Sequence, residues 1–142
     1  MEFIFGPTAV LTFLLLLTLT EARRRRAALL ATVTVVQLPE FASEVLGNSR
    51  EITVFLPPGY AQAANRRYPT LYVNDGQDQA ALQIRETLAK LFQRRQLPPI
   101  IVVAVPTNPH RLQEYGTAVC PNAQNLGTKA GENGRFLAAE LM

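Results

Sequence analysis

Cysteine, histidine and charge are all scarce in this chain of 142 residues. A single cysteine, Cys120, excludes an internal disulfide and leaves the redox compartment open. One cysteine and one histidine, His110, stand ten positions apart. They are poor material for a structural zinc site, which takes four nitrogen or sulfur ligands. The simplest reading is an incidental thiol and a solvated loop imidazole, with no metal. Charged residues make up 18% and hydrophobic residues 48%, a globular rather than a disordered balance. The length allows one modest domain with a real core, but hardly two. The net charge is +3, and four Arg against two Glu put +2 of it in residues 1–30, leaving +1 for residues 31–142. The folded part therefore offers no basic face, and nucleic acid is not an expected partner. Contact of Arg23–Arg26 with nucleic acid or anionic lipid has only those four residues behind it.

What is present begins with an apolar, uncharged segment, Ile4–Thr20, followed by the Arg run. Its length is at the lower edge of what spans a bilayer, roughly 17–25 residues. The basic cluster follows the apolar core rather than preceding it, which is the wrong order for a cleavable secretory signal. If the segment inserts, the Arg run favours an anchor with the following domain in the cytoplasm. Residues 1–30 read equally well as an extension outside the fold. Residues 31–142 carry the domain.

Ala31–Leu38 is β-branched and partly alternating, and Gly47-Asn48-Ser49 marks a turn before a second strand, Glu51–Leu56. Two strands around a short irregular connection predict an antiparallel opening to the sheet, and Pro57-Pro58-Gly59 stops the second strand. Asp78 can cap a helix over Gln79–Gln96, with Ala81, Ile84, Leu88, Leu91 and Phe92 on one stripe and a Glu86–Lys90 pair on the wet side. Ile100–Val105 is apolar at every position, as a parallel strand buried on both faces requires. Pro106–Gly127 lacks periodicity and reads as a long loop, and Thr128–Met142 reads as a helix carrying Phe136, Leu137 and Leu141.

The stretch Leu71–Gln77 joins these elements. It is a short strand that empties into an Asn-Asp-Gly turn, where an open α/β sheet places its chemistry. Gly76 is expected to supply the backbone freedom of the turn. The N–H groups of Gly76 and Gln77 are candidates for an oxyanion hole. Asn74, Asp75, Asn108, Arg111, Glu114 and Tyr115 are candidates to line one cleft, because the turn and the long loop leave the same edge of the sheet. Arg111 and Glu114 can equally pair with each other.

Arg50–Tyr60, Arg-Glu-Ile-Thr-Val-Phe-Leu-Pro-Pro-Gly-Tyr, resembles the R-x-x-x-V-x-L-P-P-G-Y opening of an esterase family that includes enterochelin-esterase-like and S-formylglutathione-hydrolase-like serine hydrolases. Tyr68–Gln77 resembles its Y-P-x-L-Y-x-x-D-G block, and Ile101–Val105 followed by Arg111–Tyr115 resembles its next strand and R-x-x-E-Y loop. The three blocks stand in order, and the resemblance covers about Val33–Leu141. The resemblance implies an α/β-hydrolase-type fold with a mostly parallel sheet, hydrolysis of a small-molecule carboxylic ester or thioester, and no cofactor. It also implies a nucleophile in a G-x-S-x-G elbow, followed by an acid and then a histidine.

This chain departs from that pattern. Its only serines are Ser43 and Ser49, neither in such an elbow, and His110 precedes the place of the family's base. The expectation is the N-terminal half of a hydrolase, inactive alone and complemented by a C-terminal half. The alternative is a non-catalytic, membrane-tethered or partner-binding module that keeps half the fold.

Overall fold

The computed structural model describes residues 7–30, 32–63, 65–116 and 126–141. Four strands form one mixed sheet: β1 (Thr34–Ser43), β2 (Asn48–Leu56), β3 (Thr70–Asn74) and β4 (Ile101–Val105), in the order β1-β2-β4-β3. β1 and β2 make the expected antiparallel pair, β2 runs antiparallel to β4, and β3–β4 is the parallel pairing within these residues. The strand–helix–strand unit read from the sequence is present, with α2 (Ile84–Gln93) between β3 and β4.

β4 shows why both faces of the sheet are covered. Side chains alternate along a strand, so a run without a polar residue must find cover on each side. Val102 and Ala104 pack with Val33, Phe55, Leu88 and Ala89 under α2. Val103 and Val105 pack with Leu46, Ile52 and Phe136 on the opposite face.

Phe136 is fully buried. It follows α4 (Ala130–Arg135), where the chain widens into a π-type turn over Phe136–Glu140. The helix expected over Thr128–Met142 thus exists in a shorter, altered form. Its end is tied to the sheet: Glu140 accepts hydrogen bonds from the Ser43 hydroxyl at 2.5 Å and the Val45 N–H at 3.0 Å. The Tyr72 hydroxyl donates to the Leu141 carbonyl at 3.1 Å.

Two boundaries differ from the sequence reading for identifiable reasons. β1 continues past Leu38 to Ser43 because the register slips between Leu38 and Phe41, around Pro39. Proline cannot donate to a ladder, and an edge strand absorbs it as a bulge. α2 begins at Ile84, not at Gln79, and Asp78 does not cap it. Gln79 instead donates its side-chain amide to Thr53 Oγ1 at 2.9 Å, and Gln83 takes a left-handed conformation at φ 49°. Ala81 is exposed as a result, while Leu88 and Ala89 carry the buried stripe. Glu86 pairs with Arg26 at 3.3 Å rather than with Lys90.

α1 (Pro7–Leu30) runs unbroken through the apolar segment and the Arg run. Leu29 packs against the core on the α2 side. Residues 4–6 of the apolar segment lie outside the described residues. No helix among the described residues is long and apolar enough to cross a membrane, so the spanning anchor entertained for Ile4–Thr20 is not supported. Within the described helix, Glu21 arrives about 14 residues after Pro7, roughly 21 Å at 1.5 Å per residue, against a hydrocarbon core of about 30 Å.

The Glu140 contacts give the first testable consequence. The Ser43 hydroxyl, then the Val45 N–H, hold the Glu140 carboxyl below its ordinary value, against the opposing effect of burial. A depressed carboxyl contributes stability above its unfolded pKa of about 4.3 and loses it as pH falls through the lower folded value. Urea unfolding of the Glu140→Gln chain should therefore show a smaller loss of midpoint between neutral and acid pH than the parent.

Candidate functional site

The parallel register pairs Asn74 with Val105, so the turn after β3 and the loop after β4 leave the sheet at one end. The turn is a single tight 3₁₀ turn over Gly76–Asp78. It is closed by the Asp78 N–H donating to the Asp75 carbonyl at 3.0 Å and the Gln79 N–H to the Gly76 carbonyl at 3.2 Å. The N–H groups of Gly76 and Gln77 head this turn, where a helical turn leaves its first donors without internal partners.

Gly76 serves here by a different property from the one expected. The left-handed residue is Asp75, at φ 57°. Gly76 is buried against β4, and a Cβ there would lie 2.6 Å from the Ala104 carbonyl carbon and the Val105 nitrogen. Glycine is required by contact, because the turn rests directly on the β4 backbone.

The long loop clamps the turn from outside. It contains a one-turn helix, α3 (Arg111–Glu114), that the aperiodic sequence did not announce. Arg111 makes two hydrogen bonds to the Asp75 carboxylate, Nε to Oδ1 at 2.9 Å and Nη2 to Oδ2 at 2.8 Å. This fork-on-fork geometry fixes orientation as well as charge. It holds the Asp75 carboxyl below its usual range, chiefly through the Arg111 hydrogen bond, with partial burial opposing. The Asp75 N–H donates to the Tyr115 hydroxyl at 3.3 Å, and the Arg111 guanidinium lies 5.1 Å from the Tyr115 ring centre. From the other side the Thr107 N–H donates to Gln77 Oε1 at 3.0 Å. Asp75, Gln77, Arg111 and Tyr115 are thus brought together, with Asn74 exposed beside them at the end of β3.

Glu114 and Asn108 go elsewhere. Glu114 does not line a cleft and does not pair with Arg111. It is 2% exposed and pairs with Arg50 of β2 at 2.6 Å. Asn108 donates to the same Glu114 oxygen at 3.1 Å. Arg50 also donates to Asn48 Oδ1 at 3.1 Å and to the Pro106 carbonyl at 3.3 Å, and it lies over the Phe136 ring. The second Glu114 oxygen is buried without a hydrogen-bond partner. Sequence reasoning missed this pair. The available signal was that both are motif positions of the family-like blocks, Arg50 opening the first and Glu114 standing in the R-x-x-E-Y of the last.

Residues 43–142 match the family described as Putative esterase. The chain belongs to this esterase family. Among solved structures it is similar to an IroE-like serine hydrolase from Shewanella oneidensis, at 31% identity and a TM-score of 0.55, over 75% of this chain and 35% of that one. It is also similar to a ferulic acid esterase, at 24% identity and a TM-score of 0.52, over 78% of this chain and 40% of that one. A BES protein from Bacillus cereus matches at 16% identity and a TM-score of 0.50, over 78% and 44%. The last two likenesses concern the fold alone. No curated protein matches the chain. The fold is therefore of the α/β-hydrolase type, and the chain spans well under half the length of these solved relatives.

Within this esterase-family chain the two serines have no catalytic setting. Ser43 donates to Glu140 and accepts from the Leu46 N–H at 3.0 Å, which occupies its hydroxyl in the hairpin. Ser49 is an exposed residue of β2. His110 lies just before α3, where its N–H donates to Asn108 Oδ1 at 2.8 Å. Cys120 lies outside the described residues. Among the described residues no group of three or more His, Cys, Asp or Glu side chains could hold a metal.

The buried pair gives the second prediction. Arg50→Met leaves the Glu114 carboxylate in the core without its cation, which costs about 3–5 kcal/mol. Arg50→Met together with Glu114→Leu leaves no charge behind and costs less than the single change. Urea denaturation of the parent and both variants measures the difference.

Proposed function

We propose that residues 31–142 form the oxyanion-bearing N-terminal part of a serine-type hydrolase of carboxylic esters or thioesters. The observation that carries this reading is the clamped turn at the carboxyl end of β3. Arg111, Tyr115 and Thr107 hold Asp75–Asp78 so that the N–H groups of Gly76 and Gln77 head a fixed turn. Donors fixed in advance stabilise a developing oxyanion without reorganising at the moment of reaction. The 142 residues contain no G-x-S-x-G elbow, so nucleophile and base belong to a complementing segment. The turn alone stabilises charge and generates none. β3 lies at an edge of the sheet, and Leu71 is 51% exposed there. A further strand would add at that edge.

A second reading concerns attachment. The large apolar side chains of α1 between Val10 and Leu19 are exposed, which favours α1 as an arm that joins the domain to a membrane or a partner.

The test of the first reading is hydrolysis of p-nitrophenyl acetate and butyrate. The 142-residue chain should give no rate above buffer, and a saturable rate would overturn the proposal. If the DNA downstream of Met142 encodes a strand and a G-x-S-x-G elbow, the longer chain should turn over ester. Gly76→Ala in that chain, by pushing the turn off β4, should lower kcat by about 10²–10³, the usual effect of losing an oxyanion donor. Full activity in that variant would remove the turn from the mechanism.

A further inference from the structure

α1 presents two kinds of surface in succession. Leu11, Phe13 and the run Leu14–Leu17 are each 48–72% exposed. Consecutive helical residues are turned by about 100° from one another, so four leucines in a row face every direction around the axis. A helix that is apolar all round has no single face for one partner helix, and suits a medium that surrounds it. Nearly two turns further on stands Arg23–Arg26. Arg25 pairs with Glu21 at 3.0 Å and Arg26 with Glu86 at 3.3 Å. Arg23 and Arg24 are exposed and form no ion pair among the described residues. Lys90 of α2 joins Arg25 and Arg26 around an open groove of about 520 Å³ between the two helices.

The dimensions fit insertion without crossing. From Pro7, where α1 begins, to Thr20 the helix rises roughly 20 Å, more than one leaflet of a hydrocarbon core about 30 Å thick but short of the whole, a depth that a tilted helix accommodates. The Arg run then falls at the depth of the phosphate groups. We infer that α1 docks the domain on an anionic lipid bilayer: its apolar turns enter one leaflet, and Arg23 and Arg24 engage the lipid phosphates. This inference rests on the reading of α1 as an attachment arm and names what it attaches to. Nucleic acid would use the arginines and leave the leucines in water. A second copy of the chain would bury a stripe, not the whole circumference. The Arg26–Glu86 pair and the packing of Leu29 place α2 and Lys90 beside the headgroups. The cytoplasmic leaflet, which carries the anionic lipids, is the matching surface.

The test is flotation of the 142-residue chain with vesicles of phosphatidylcholine alone and of phosphatidylcholine with roughly a third phosphatidylglycerol, a strongly anionic surface. The chain should float with the anionic vesicles at least tenfold better than with the neutral ones. Salt at about 1 M, which shortens the screening length to about 3 Å, should remove that preference. Arg23→Gln with Arg24→Gln should weaken anionic binding by roughly tenfold or more, at about fivefold per arginine, and leave neutral-vesicle binding unchanged. Leu14→Ser, Leu15→Ser, Leu16→Ser and Leu17→Ser together should abolish flotation, with the far-ultraviolet signature of the sheet retained. No flotation of the parent, or equal flotation with both vesicle types, overturns the lipid assignment. If the parent ignores vesicles but sediments as an oligomer that the four serine changes dissolve, the arm survives and its partner is another chain. If those changes alter neither property, the arm reading falls as well.

Discussion

The backbone of β4 is the constraint on which the rest depends. One of its faces holds α2, and the other holds Phe136 and the end of the C-terminal helix. Its last two residues carry the turn directly, since Gly76 lies against Ala104 and Val105 with no space for a methyl group. Core packing and site geometry are therefore one problem. A shift of β4 that relaxed either apolar cluster would move the Gly76 and Gln77 N–H groups with it.

Two ion pairs of opposite character hold the loop after β4. Arg111–Asp75 is partly exposed and aligned as a fork, so its contribution is orientation of the turn. Arg50–Glu114 is buried and joins β2 to the same short helix. Desolvation largely offsets its attraction, so the pair adds little net stability, while either charge left alone in the core would be costly. The two residues of α3 that look like natural partners, three positions apart, are thus pulled to opposite sides. One goes to the turn and the other into the core.

Much of the fold was legible because it rests on periodicity. The unbroken run before Pro106 announced a strand covered on both faces, and the three- and four-residue spacing around Leu88 announced the helix that covers one of them. The Asn-Asp-Gly sequence at the end of a short apolar run announced the turn and its place at the edge of the sheet. What was not legible depended on partners distant in the chain. Nothing local to Gln79 shows that Thr53 will hold its side chain out of a helix. Nothing local to Gly76 distinguishes a need for positive φ from a need for closeness, and the positive φ fell on Asp75. Glu114 finds its cation 64 positions away, whereas its sequence neighbour Arg111 was the obvious candidate. The apolar N-terminus was legible as composition, but its apolar length within α1 was not.

The closure of the Ile52–Val103–Val105 face by Phe136 and Glu140 has a consequence for synthesis of the chain. Everything needed for the α2 face has emerged once β4 is made, yet the opposite face waits for about 35 more residues. At 5–20 residues per second that is an interval of roughly 2–7 s. During it a row of β-branched side chains faces water on a nascent sheet. The length of chain between β4 and Phe136 is then a timing element, because it sets how long the growing polypeptide must be shielded from its neighbours on the polysome.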